Sequence, residues 1–119
     1  MQPNIASRRV AIYARSATAS TYSIEQQTQR GREAIATAGG DASRALVFSD
    51  TPMSGLRLDR PGLDALLRAV DHGSVDVVVT ADASRLSRDA DELARITERM
   101  RALGVDLVII SDNKGNRGE

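Results

Sequence analysis

Four short apolar runs, separated by segments with helical periodicity, constrain the fold of this chain more than any other feature. The runs are rich in β-branched residues and lie at Val10 to Ala14, Ala45 to Phe48, Val75 to Val79 and Val105 to Ile110. Their length and composition predict a buried strand in each. Because helical patterns alternate with these strands, we expect an α/β domain with a mainly parallel central sheet and helices on both faces.

Three segments between the runs repeat apolar residues at spacings of three and four, which is typical of amphipathic helices. The first carries Ile24, Thr28, Gly31, Ile35 and Ala38, the second Leu63, Leu66, Leu67 and Val70, and the third Leu93, Ile96, Met100 and Leu103.

Capping signals bound these helices. Capping-box pairs predict helix starts at Ser23 with Gln26 and at Asp89 with Glu92. The second helix is expected to begin near Asp59-Arg60-Pro61, because proline is favoured in the first turn. The predicted stops of the second and third helices are His72-Gly73 and Gly104.

Polar residues follow the predicted strands. Arg15 and Ala17 follow the first strand, Asp50 follows the second, and Arg85 and Arg88 follow the third. The carboxyl ends of parallel strands form the usual ligand site of such sheets. We therefore expect these residues, together with Ser54-Gly55 after the second strand, to converge on one sheet edge.

The arginines are candidate phosphate ligands. Arginine binds phosphate through a planar fork and stays charged at every relevant pH. The 119-residue chain has 16 basic and 16 acidic residues, so any contact with a polyanion must come from local clustering. The candidates are Arg15, Arg60, Arg85 and Arg88, and the i, i+3 spacing of the last two predicts one side of a helical turn.

Composition excludes several classes of site. Without cysteine there is no disulfide, thiol nucleophile or thiolate metal site, and His72 is the single histidine, so we expect no metal and no cofactor. The N-terminus lacks the order of a signal peptide and no apolar stretch could span a bilayer, which predicts a cytoplasmic protein. The length fits one domain over residues 1–119, with flexible ends at 1–7 and 112–119.

Ordered motifs give the chain a family resemblance. They are Tyr13-Ala14-Arg15-Ser16-Ala17-Thr18, Ser23-Ile24-Glu25-Gln26-Gln27, Leu58-Asp59-Arg60-Pro61-Gly62-Leu63 and Ser84-Arg85-Leu86-Ser87-Arg88-Asp89. Together they resemble the catalytic domain of serine site-specific recombinases, the resolvase and invertase superfamily. The residues of these motifs are most similar to those of large serine integrases and related transposases. The resemblance implies a resolvase-like three-layer α/β/α fold.

The resemblance also implies a reaction and partners. In the family a serine attacks a DNA phosphate to give a 5′-phosphoserine link and a free 3′ hydroxyl, and strands are exchanged within a tetramer. The implied partners are DNA and further copies of a longer parent chain, in which a helix follows this domain and pairs subunits.

The implied site residues each have a role in that reaction. Arg15, Arg85 and Arg88 would hold the phosphate and Arg60 would help set the site and contact phosphate. Positioning roles fall on Asp50, Tyr13 and Gln27.

Two positions depart from the family pattern. Ala17 occupies the place of the nucleophilic serine, which indicates an inactive form, whether engineered or natural. Ser16 is the alternative nucleophile, although neighbouring side chains in an extended segment point oppositely, so that its oxygen should miss in-line geometry. Ser84 replaces an aspartate of the pattern, and Asp82 is either a substitute carboxylate or a plain surface residue.

Two other readings remain open. A non-catalytic regulatory or assembly module that kept the fold would explain Ala17, but not a converging cluster of like charges. A flavodoxin-like or receiver-type domain would need a phosphate-cradling glycine loop or an acidic cluster after the first strand, and Arg15-Ser16-Ala17 supplies neither.

Overall fold

A four-stranded parallel sheet forms the centre of the molecule. The computed structural model describes residues 8–16, 21–51 and 60–110. Its strands are β1 (Val10–Arg15), β2 (Leu46–Asp50), β3 (Val77–Thr80) and β4 (Asp106–Ile109). They lie in the order β2-β1-β3-β4, and every neighbouring pair is parallel. Ala17, Ser54-Gly55 and the predicted flexible ends at 1–7 and 112–119 lie outside the described residues.

Helices connect the strands. They are α1 (Thr21–Thr37), α2 (Pro61–Asp71), α3 (Ala83–Leu86) and α4 (Ala90–Ala102), with a 3₁₀ turn at Ala42–Arg44. None of the helices in the described ranges is long and apolar enough to cross a bilayer.

The helices cover both faces of the sheet, because alternate residues of each strand point to opposite sides. On one face Ile35 of α1 packs with Ile12 and Val79. On the other face α2 and α4 contribute Leu66 and Met100 to a larger cluster. The three-layer α/β/α prediction is therefore confirmed.

The expectation that all four strands are buried is wrong for the two edge strands: β2 is largely exposed, and the residues of β4 are half-buried or exposed. Leu46 is 45% exposed and Val47 is 39% exposed, whereas Ile12 and Val78 of the central strands are almost fully buried. Within the described sheet β2 is an edge strand that pairs only with β1, so its residues lose less surface to neighbours.

Two of the three predicted helix starts are confirmed and one is wrong. The second helix starts after Arg60, and the third is capped by Asp89, whose carboxylate accepts from the backbone N–H of Asp91 and Glu92. The first helix begins at Thr21, so Ser23 lies inside its first turn and cannot cap it. The apolar period was therefore a better guide to this helix than the capping pattern.

The short helix α3 was not predicted, and it changes the geometry of two arginines. It ends at Leu86, and Ser87 returns to an extended backbone with φ −168° and ψ 142°. Arg85 and Arg88 therefore do not share one helical turn, and the predicted i, i+3 alignment is wrong.

Candidate active site

The predicted convergence at the carboxyl ends of the strands is confirmed for Arg15, Asp50 and Arg85. Arg15 and Asp50 end neighbouring strands in paired register. Arg85 Nη1 donates to the Arg15 carbonyl oxygen at 3.0 Å, and Arg15 Nη2 donates to the Ser84 carbonyl oxygen at 3.4 Å. These reciprocal bonds join the end of β1 to α3.

Gln27 fixes the backbone at the end of β1. Its Oε1 accepts from the Arg15 N–H at 3.1 Å, and its Nε2 donates to the Arg15 carbonyl at 2.9 Å. The same Nε2 donates to Ser23 Oγ at 3.0 Å, one turn earlier in α1. The buried Gln27 amide thus bonds both the N–H and the carbonyl of Arg15, as a residue of a neighbouring strand would. Arg15 lies two residues before position 17.

Asp50 caps α2 from a different element. Its Oδ1 accepts from the Gly62 N–H at 2.7 Å, and its Oδ2 accepts from the Leu63 N–H at 2.9 Å. Arg60, the residue at the N-cap position, makes no side-chain capping bond within the described residues. A buried carboxylate here satisfies free helix N–H groups and lies at the positive end of the helix dipole.

Tyr13 connects this carboxylate to the arginines. Its hydroxyl donates to Asp50 Oδ2 at 2.6 Å and accepts from Arg60 Nη2 at 2.9 Å. Burial raises the pKa of the phenol, and the bond to the Asp50 carboxylate raises it further. Tyr13 is therefore neutral, and its hydroxyl links the Asp50 carboxylate to the Arg60 guanidinium.

Both Nη atoms of Arg60 make hydrogen bonds within the protein. Its Nη1 donates to the Leu86 carbonyl at 2.5 Å, and its Nη2 donates to the Arg85 carbonyl at 2.6 Å. The guanidinium carbon also lies 5.7 Å from the centroid of the Tyr13 ring. Arg60 thus ties the start of α2 to the end of α3.

Three arginines retain a donor that has no acceptor in the described part of the chain. The Nε atoms of Arg15, Arg60 and Arg85 are buried and make no hydrogen bond to any described residue. Burial lowers the pKa of Arg15, and the nearby charges of Arg60, Arg88 and Arg85 lower it further. A group of buried, unsatisfied cationic donors is what an oxyanion binds.

Arg88 lies beside this group on an anchored segment. It is exposed, whereas the preceding Ser87 is buried. Ser87 Oγ donates to Glu92 Oε1 at 2.6 Å and accepts from the Asp89 N–H at 3.0 Å. Glu92 therefore bonds to Ser87, and this differs from the predicted capping box, in which it would reach back to the Asp89 N–H.

Sequence reasoning assigned no role to Ser87, Thr80 or Gly62. Thr80 Oγ1 donates to the Tyr13 carbonyl at 2.9 Å, and a Cβ on Gly62 would lie 2.2 Å from the Ser49 carbonyl oxygen. The sequence did contain a signal for the role of Gly62. Glycine destabilises a helix relative to alanine, so a glycine in the first turn of a predicted helix indicates that another backbone comes close.

Ser16 is 5% exposed, and its N–H donates to the Asp50 carbonyl at 3.1 Å. Among the described residues, no three His, Asp or Glu side chains lie together in a way that could hold a metal ion.

Comparison with known proteins places the chain in a family. Residues 10–119 match the family model "Resolvase, N terminal domain". A site-specific recombinase from Escherichia coli is 37% identical over 107 residues, which are 90% of this chain and 51% of that relative. The chain thus spans about half the length of that relative.

Solved structures agree with the sequence relatives. The C-terminal catalytic domain of ISC1926 TnpA, an IS607-like serine recombinase, has a TM-score of 0.73 and 29% identity, with 86% of this chain and 69% of that chain covered. For the N-terminal catalytic domain of TP901-1 integrase the TM-score is 0.71 and the identity 25%, with 88% and 78% covered. The chain belongs to the resolvase N-terminal domain family of site-specific recombinases.

Proposed function

We propose that this chain is the catalytic domain of a DNA recombinase that cleaves and rejoins DNA through a 5′-phosphoserine intermediate, here inactive because Ala17 occupies the nucleophile position. The observation that carries the proposal is the set of unsatisfied Nε donors on Arg15, Arg60 and Arg85. These donors come from three different elements and meet at the sheet edge where a family enzyme needs its phosphate. Their charge would stabilise a phosphate whose negative charge grows in the transition state.

Each site residue has a place in this proposal. Arg15, Arg85 and the exposed Arg88 contact the phosphate, and Arg60 offers it only Nε, since both of its Nη atoms bond to the protein. Tyr13, Gln27 and Asp50 position these arginines through hydrogen bonds to the protein's own backbone and side chains.

The domain, the cellular location, the substrate and the partners of the chain are also proposals. We propose that residues 1–119 act as one catalytic domain of a cytoplasmic protein, with DNA as substrate and further copies of the parent chain as partners. The arginine cluster supports contact with DNA, because the net formal charge of the chain is zero while four arginines, Arg15, Arg60, Arg85 and Arg88, lie close enough to interact.

In the active form, the Oγ of a serine at position 17 attacks phosphorus while the bond from phosphorus to the 3′ oxygen breaks. The phosphate then joins serine to the 5′ end. The serine hydroxyl gives up its proton as this bond forms and the 3′ oxygen takes one up, so no net proton is consumed. Ser16 is a poor substitute, because its side chain is buried and belongs to the neighbouring position along the chain.

The decisive change is Ala17→Ser in the full-length protein. Incubated with end-labelled cognate DNA, this variant should give protein linked to 5′ ends on a denaturing gel, because the phosphate-binding arginines are already present. Ala17→Ser combined with Ser16→Ala should form the same adduct. An Ala17→Ser protein that yields no adduct would contradict the proposal, as would an adduct formed by the unaltered chain and abolished by Ser16→Ala.

A non-catalytic module is the second candidate, and Ala17 is the observation that favours it. Under that alternative, the serine variant would bind DNA no differently from the unaltered chain and would form no covalent link.

A further inference from the structure

We propose that Asp82, assisted by Ser84, is a positioning residue that sets the orientation of the Arg85 guanidinium for phosphate. This inference rests on the proposed function. It concerns a carboxylate at a place in the chain where the family pattern gives no reason to expect one.

The Asp82 carboxylate is divided between two neighbours. Asp82 directly precedes α3 and, within the described residues, makes no side-chain bond to the N–H groups of that helix. Its Oδ1 accepts a hydrogen bond from Ser84 Oγ, and its Oδ2 lies 3.6 Å from Arg85 Nε. Ser84 therefore holds one oxygen of the carboxylate and leaves the other facing the arginine.

The hydrogen bond through Nη1 does not by itself fix the orientation of the Arg85 guanidinium. The side chain of Arg85 is 26% exposed, and its Nη1 donates to the Arg15 carbonyl at 3.0 Å. A single bond through Nη1 leaves the guanidinium plane free to rotate about that contact, whereas a carboxylate on the Nε side restricts the rotation.

The distance between Asp82 and Arg85 suits a positioning role. At 3.6 Å the pair is an ion pair but is longer than a hydrogen bond, and Nε makes no hydrogen bond to any described residue. The carboxylate therefore orients Arg85 electrostatically and leaves its buried Nε–H without a hydrogen-bond acceptor among the described residues.

Charge alone and positioning make opposite predictions for Asp82→Asn. If Asp82 only adds negative charge near the site, its removal should tighten the binding of an anion. If Asp82 positions Arg85, its removal should weaken phosphate binding by roughly fivefold, which corresponds to the upper range for a partly exposed ion pair.

The experiment is a titration of the unaltered chain and its variants with inorganic phosphate at constant ionic strength, followed by the ¹⁵N–¹H signal of Arg85 Nε. Asp82→Asn should move that signal in the free protein, hasten its exchange with water and weaken phosphate binding. Asp82→Asn combined with Ser84→Asp should restore binding and exchange protection, because the carboxylate is then supplied from position 84, directly before Arg85, where the family pattern has its aspartate. Asp91→Asn, at an exposed site in the first turn of α4, is the control and should change neither.

Two failures can be told apart. Phosphate binding that is equal or tighter in Asp82→Asn, while Arg85→Ala still abolishes it, would overturn this inference alone. A lack of any phosphate response in the unaltered chain would overturn the proposed function and this inference with it.

Discussion

Gly62 lies where the start of α2 comes closest to the end of β2. A Cβ at this position would lie 2.2 Å from the Ser49 carbonyl oxygen and 3.0 Å from Asp50 Oδ2. Glycine inside a helix usually costs about 1 kcal/mol relative to alanine. Here the contact outweighs that preference, because the obstructing atom belongs to the backbone of a strand and cannot move aside.

We expect Gly62→Ala to lower the free energy of unfolding by about 1–3 kcal/mol, the usual cost of overpacking. Urea denaturation measures the change. Gly39→Ala is the matched control, because a Cβ there meets no described atom within 4 Å and only the φ of +92° disfavours alanine, at a cost of about 1 kcal/mol. A Gly62→Ala chain as stable as the unaltered one would show that the close approach is not required.

Residues of the site were predictable where a motif names them, and their partners were not. Tyr13 and Asp50 were expected to position the site, but that Asp50 caps a helix became visible only with the fold. Sequence spacing cannot show that an amide in α1 bonds the backbone of Arg15, since that contact depends on how α1 packs against β1.

At the scale of elements, Asp50 makes the start of α2 depend on β2. Two backbone N–H groups and the Tyr13 hydroxyl all donate to one buried carboxylate. An amide can accept with only one of its two terminal atoms, so its NH₂ group would face a donor.

Asp50→Asn should therefore lower the free energy of unfolding by about 3 kcal/mol, because it weakens charge-assisted bonds and leaves a buried donor unpaired. Chemical denaturation checks the loss, and amide hydrogen exchange should show it first at Gly62 and Leu63. Asp41→Asn is the control, since Asp41 caps an exposed 3₁₀ turn and asparagine is an equally good capping residue. Equal effects of the two substitutions would contradict this account of α2.

Periodicity predicted the long elements, and tertiary context determined the rest. The pattern of Leu63, Leu66 and Val70 identified α2 with its correct ends. The four residues of α3 are too few to show a period, so the placement of Arg85 and Arg88 relative to each other was missed. The exposure of Leu46 depends on strand order, which the apolar run itself does not contain.

At the scale of the whole molecule, Arg15 of β1, Arg60 at the N-cap of α2 and Arg85 of α3 bring like charges together at one edge of the sheet. Burial lowers the pKa of Arg15, and the repulsion from the neighbouring arginines lowers it further. An anion held between them would satisfy the free Nε donors and relieve this repulsion, so anion binding should stabilise the folded state.

Thermal unfolding with millimolar inorganic phosphate, at an ionic strength held constant with chloride, tests this central claim most directly. At ten times the Kd, phosphate should stabilise the unaltered chain by roughly 1.4 kcal/mol and raise its Tm by about 5 °C. Arg85→Ala and Arg88→Ala should lose most of that gain, and Arg95→Ala, at an exposed site on α4, should keep it. The same rise in Tm in the unaltered chain and in all three variants would contradict a phosphate site at this edge.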